Sequence, residues 1–140
     1  MIVIDEYLAV RLAGGAWPPE LPDDEPVLPT SRHWRLLQAL HGSRRGKLSQ
    51  LLDGFSPSAR DGVRYPHAEV FGILDPRPLL DEAAMIAARY GETGWLIAET
   101  LAAGLAFGNR LCFGSQANVG RVVSRAADEL GIAVQVIGPH

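Results

Sequence analysis

The chain has 140 residues, 13 Lys and Arg against 16 Asp and Glu, a formal charge of −3 and one cysteine, a length that supports a single core without disulfide or metal staples. One cysteine excludes an internal disulfide, and Cys112 in the apolar run Leu111-Cys112-Phe113 reads as a small buried thiol, not as a nucleophile or metal ligand. The opening Met1-Ile2-Val3-Ile4-Asp5-Glu6 lacks a basic leader, and the most apolar region, 94–113, is interrupted by Glu99, Asn109 and Arg110, so the expectation is a cytoplasmic protein without a membrane span.

In chain order, residues 1–4 are short, β-branched and unalternating, the pattern of a strand covered on both faces, with Asp5 at its carboxyl end. Residues 7–13 are helix formers stopped by Gly14-Gly15, and the proline-rich 14–29 reads as loop, with 26–29 pairing briefly at a sheet edge. Thr30-Ser31 then leads a helix over about 31–41, in which Trp34 joins Leu37 on the core stripe. A short helix over 47–54 follows, and 55–67 reads as loop.

The second half alternates regularly. Residues 70–74 predict a buried strand, and Asp75-Pro76 opens a helix to Tyr90 that buries Leu80, Ala83, Ala84 and Ala87. Thr93 caps a helix from about Trp95, 111–113 is a strand, Ser115 opens a last helix closed by Gly131, and 132–137 is the final strand. Strands alternating with helices through short connections predict one α/β domain over 1–140, with a parallel sheet between helical layers.

Sites in such sheets gather at the carboxyl ends of the strands. Capping a helix accounts for Asp75, whereas Asp5 has two readings, a helix cap or one ligand of a hard cation such as magnesium. Charge adds a second clue: residues 31–47 carry Arg32, Arg35, Arg44, Arg45 and Lys47 without an acid, directly after an acidic stretch, 20–25. Arg32 and Arg35 share a helical face and, with Arg44, Arg45 and Lys47, suit successive RNA phosphates, while Trp34 or His33 offers a ring to an unpaired base. The competing reading of these cations is a solvated face paired with the acids of 20–25.

The order 2–5, 70–75, 83–91, 96–102, 111–113 and 130–134, with their apolar patterns, resembles the PIN-domain family, which includes the VapC-type ribonuclease toxins of bacterial toxin–antitoxin modules. The resemblance implies a three-layer α/β/α fold with about four parallel strands. It also implies an acidic pocket in which magnesium or manganese activates water against an RNA phosphodiester. Asp5 matches the first acid of that pattern. The helix expected to hold the second has arginines instead, Gly94 stands in the third slot, and Ser115 or Asn118 in the fourth. A displaced set built on Asp5, Glu99 and Glu92 is therefore the candidate metal group, with Asp5 and Glu99 catalytic. Glu6 joins it less readily, because adjacent strand residues point to opposite faces.

The expected function is a VapC-like protein acting on or binding RNA, an endoribonuclease if the acidic site is complete, with an antitoxin-like partner and a homodimer implied by the resemblance. The alternative is an inactive PIN-like module that binds a protein or RNA. A flavodoxin-like or receiver-like domain is disfavoured, because the chain has neither a phosphate loop nor a lysine beyond Lys47.

Overall fold

The computed structural model describes residues 1–42, 46–91 and 93–138. Strand β1 (Ile2–Ile4) is buried along its whole length and leads directly into helix α1 (Glu6–Ala13). Strand β2 (Pro26–Leu28) is followed by three helices, α2 (Thr30–His41), α3 (Lys47–Asp53) and α4 (Pro57–Arg64). The short β3 (Gly72–Ile73) precedes a 3-10 turn at Arg77–Leu79 and helices α5 (Leu80–Arg89) and α6 (Trp95–Ala106). Strand β4 (Arg110–Phe113), a second 3-10 turn at Gln116–Asn118, α7 (Gly120–Leu130) and β5 (Ala133–Val136) complete the order.

All five strands are parallel, in the order β3-β2-β1-β4-β5, against the about four that the resemblance implies. Residues 26–28 account for the difference. They lie inside the sheet, hydrogen-bonded to β1 and β3 on either side, where an edge strand was expected. Pro26 is tolerated there because the first residue of a strand can forgo its N–H.

Alternation along the strands divides the core into two. Val3, Val27, Leu111 and Phe113 face α5, α6 and α7, while Ile2, Ile4, Leu28 and Cys112 face α1, α2, α3 and α4. The fold is thus α/β in three layers, helices on both faces of a parallel sheet. Among the described residues no helix is long and apolar enough to cross a membrane.

Several local expectations shift. Residues 57–64 are helical, with Ser56 Oγ accepting from Ala59 N–H at 3.1 Å and proline in the first turn, a start signal masked by the internal Gly62. Asp75 accepts from the Arg77 N–H, but the chain makes a 3-10 turn before α5 begins at Leu80. That delay changes the phase of the helix: Ala83 and Ile86 are buried, whereas Leu80 and Ala84 are exposed. Helix α6 is capped by Gly94 without a side-chain bond, and Thr93 Oγ1 has no partner among the described residues. Gly131, with φ +73°, closes α7 as its sequence predicts.

The chain steps outward from β1 to β2 and β3, then returns to lay β4 on the other side of β1. This reversal is the topological switch point, and crevices for ligands form there at the carboxyl ends of the strands. Gly114, just after β4, is pressed against α1 at this point. A Cβ on it would stand 2.9 Å from Leu8 N and 2.9 Å from Tyr7 Cβ, too close for a backbone held by the helix. Gly114→Ala is therefore expected to lower stability by about 1–3 kcal/mol, read as a shift in the urea-unfolding midpoint with unchanged slope.

Candidate functional site

Asp5 leaves β1 in extended conformation and caps α1, its Oδ1 accepting from Leu8 N–H at 2.9 Å. The same oxygen accepts from Gly114 N–H across the switch point at 2.8 Å, and Oδ2 accepts from Asn118 Nδ2 at 2.9 Å. The cap reading of Asp5 is therefore shown. Burial, and after it the charge of Glu6, pushes its carboxyl up to about 6 against the hydrogen bonds from Leu8 and Gly114.

Glu6 is the first residue of α1, not the last of a strand, so the strand rule that sends it away from Asp5 does not apply. Its carboxylate turns back to the same place. Glu6 Oε1 accepts from Arg32 Nη1 at 2.9 Å and from Asn118 Nδ2, and Oε2 accepts from Arg35 Nη1 at 3.3 Å. Asn118, held by the 3-10 turn after β4, thus donates to both acids while its Oδ1 accepts from Arg35 at 3.2 Å, which sets the direction of its amide.

Arg32 is the centre of this network. Its side chain is 1% exposed and Glu6 is fully buried. Nε donates to Thr100 Oγ1 at 2.7 Å, and the guanidinium lies 5.5 Å from the centroid of Phe113. Thr100 passes the bond on, donating to the Leu96 carbonyl at 2.8 Å. The expectation that Arg32 faces RNA is corrected here, because its position follows Leu36 and Leu40 on the buried stripe of α2. Arg35, three residues on, is half-exposed at the rim, and neither arginine pairs with the acidic loop.

Glu99, the proposed catalytic partner of Asp5, serves another purpose. Helix α2 begins after Pro29 with no side-chain cap and no acid in its first turn. Glu99 supplies both from α6: its Oε1 accepts from Ser31 N–H at 2.7 Å and brings negative charge to the positive end of the helix. Its Oε2 and the Ser31 hydroxyl have no partner among the described residues. Glu92, Arg44 and Arg45 lie outside the described residues, and Lys47 is exposed at the start of α3.

For the magnesium or manganese implied by the resemblance, Asp5 and Glu6 are not fitting donors, and among the described residues Glu99 adds to them a single unpartnered oxygen, Oε2. Every carboxylate oxygen of Asp5 and Glu6 accepts from an N–H of the protein, and two guanidinium groups supply the positive charge. A hard divalent cation needs free oxygen lone pairs and uncompensated negative charge. Among the described residues, moreover, no three His, Cys, Asp or Glu side chains are grouped to hold a metal. Cys112 does not change this, since burial pushes its thiol up to about 11.

The exposed chemistry lies beside the network. Trp34, expected in the core, is 61% exposed, because Leu36 and Leu40 take the core positions of α2. It lines a cavity of about 520 Å³ with Trp95, Tyr7, Arg35 and Lys47. A second cavity, of about 340 Å³, shares Arg35 and Leu96 with the first and extends to Asn118 and Arg121. His33 does not join them, as its Nε2 donates to the Val63 carbonyl at 2.9 Å and ties α2 to α4. Comparison of the chain with family models, curated proteins and solved structures finds no match.

Proposed function

We propose that this chain is a PIN-like module of the toxin–antitoxin type that holds RNA without cutting it. The observation that carries this reading is the guanidinium of Arg32, which is buried at the switch point and compensates the Glu6 carboxylate from within. A nuclease pocket of this design needs the Asp5 and Glu6 carboxylates free to place a cation and polarise its water. Here they are committed to building the carboxyl end of the sheet. Arg35 at the rim of the network, and Lys47 and Arg121 outside it, line the neighbouring cavities, a distribution suited to a polyanion in a chain whose net charge is −3.

The test is fluorescence anisotropy with a labelled 20-nucleotide single-stranded RNA, followed by incubation of the complex with 5 mM manganese. The expected result is binding that weakens between 50 and 200 mM salt, with a slope on a log–log plot of about −0.7 for each phosphate contacted, and RNA that stays intact. Cleavage abolished by Asp5→Ala would replace this reading with the endoribonuclease one. Absence of RNA binding at 50 mM salt would direct the search to a protein partner.

A further inference from the structure

We propose that the cavity between α2, α3 and α6 is a stacking subsite for an unpaired nucleobase, flanked by cations that take the adjoining phosphates. The inference rests on the RNA-binding reading above and adds to it which part of RNA is held, and by which side chains.

Trp34 on α2 and Trp95 at the start of α6 are two of the chain's three tryptophans, and they are 61% and 42% exposed on the same cavity. Neither is needed by the core: Leu36 and Leu40 pack α2, while Ala98, Leu101 and Ala102 pack α6. Two indoles left largely in water on separate helices, and lining one concavity of about 520 Å³, offer apolar surface of the kind that takes a flat π system. Tyr7 adds a third ring to the lining. In the same wall Ser31 carries a hydroxyl that has no partner among the described residues.

Charge decides what kind of flat molecule fits. Lys47 lies on this cavity, Arg35 lies on both cavities, and Arg121 lies on the second, whereas no described Asp or Glu lines either one. An apolar peptide gains little from such a series. A nucleic-acid strand gains at each phosphate. The strand must be single, because a base in a duplex has both faces covered by its neighbours, whereas an indole needs one face free. Stacking on indole is tolerant of base identity, so the subsite recognises an unpaired base more than a sequence.

The experiment compares wild type with Trp34→Ala, Trp95→Ala and the two phenylalanine variants. Anisotropy is read on a labelled single-stranded RNA hexamer and on the same hexamer annealed to its complement in a longer, stable duplex. Wild type is expected to prefer the single strand, each alanine variant to lose about tenfold or more in its affinity, and the phenylalanine variants to keep most of it. Because both positions are exposed, urea-unfolding midpoints should be unchanged, which separates lost stacking from lost folding. If wild type binds the single strand and the alanine variants bind it equally well, the subsite is refuted while the RNA reading stands. If wild type binds neither form, both fall. Equal affinity for duplex and single strand would also overturn the subsite, as would sedimentation showing that wild type self-associates through these tryptophans and that the alanine variants do not.

Discussion

Arg32→Ala is expected to lower the unfolding free energy by about 3–5 kcal/mol, the loss found when one partner of a buried ion pair is removed. For a domain whose whole stability is about 5–15 kcal/mol, this is from about a fifth of it to all of it. The cause is local. Glu6 is fully buried and would keep only Arg35, at 3.3 Å on the half-exposed rim, together with the Asn118 amide. Thr100 Oγ1 would lose the donor it now faces at 2.7 Å, and Phe113 would lose the cation over its ring.

Arg32→Lys should recover only part of this loss, because a point charge on a flexible stem cannot serve Glu6 and Thr100 together as the planar fork does. Adding Glu6→Gln to Arg32→Met should recover more, since both buried charges then leave at once. Urea unfolding of wild type, Glu6→Gln, Arg32→Met and the double variant, analysed as a double-mutant cycle, measures the coupling. An Arg32→Ala protein within about 0.5 kcal/mol of wild type would show that Glu6 readily finds water and that the buried pair does not hold the network together.

The second large effect is a dependence on pH set by Asp5. In the folded protein its carboxyl titrates at about 6, against 3.8 in an unperturbed chain. Between those values the folded state binds a proton that the unfolded state has released, so stability falls as pH rises from about 4 to about 6. The direction is opposite to that of an ion-paired surface carboxylate. Below pH 4 both states are protonated, and above about 6 the fold bears the full cost of a second buried charge beside Glu6, about 3 kcal/mol over the whole window.

Asp5→Asn removes this titration while keeping an oxygen for Leu8 and Gly114. It brings a pH-independent penalty, because its amide donor would meet the donor of Asn118. Unfolding free energies of the two proteins measured from pH 4 to pH 7.5 should therefore diverge in slope, with the wild type losing the more stability on the alkaline side. Asp24, Asp75 and Glu129 are held below the ordinary carboxylate range by their own hydrogen bonds, and they contribute equally to both proteins. Parallel profiles would mean that Asp5 is ionised across the range and that its environment is wetter than its burial indicates.

Much of the scaffold was legible before the structure. The buried β1 shows as a short β-branched run, Gly14 and Gly131 mark helix ends, and Asp5 stands at the end of the first strand as a possible cap, whereas the buried strand expected over 70–74 is the two-residue β3, with Ile73 exposed. The errors are equally specific. Pro26–Leu28 was read as an edge because proline weakens a strand, yet β3 pairs with its far side. Residues 57–64 read as loop because Pro57, Gly62 and Pro66 look like breakers, whereas Ser56-Pro57 opens a helix. In α2 the polarity of the helix was inverted: Trp34 was assigned to the core and Arg32 to solvent, and the fold does the reverse. The Glu99 cap was invisible for a related reason, since its partner Ser31 is 68 residues away in sequence.

The sequence by itself determined most of the strands and helices, α4 excepted, because period, caps and breakers act over a few residues. It also determined that the strands are parallel, since each helix between them must cross the sheet. Only the tertiary structure decided what the charged groups are for. Whether an arginine on a helix faces water or lies in the core depends on whether a carboxylate waits for it there, and Glu6 is brought to Arg32 by the packing of α1 against α2. Burying a charge is favourable only when its partner and its hydrogen bonds are buried with it. That condition is met between residues distant in the chain, and no local pattern records it.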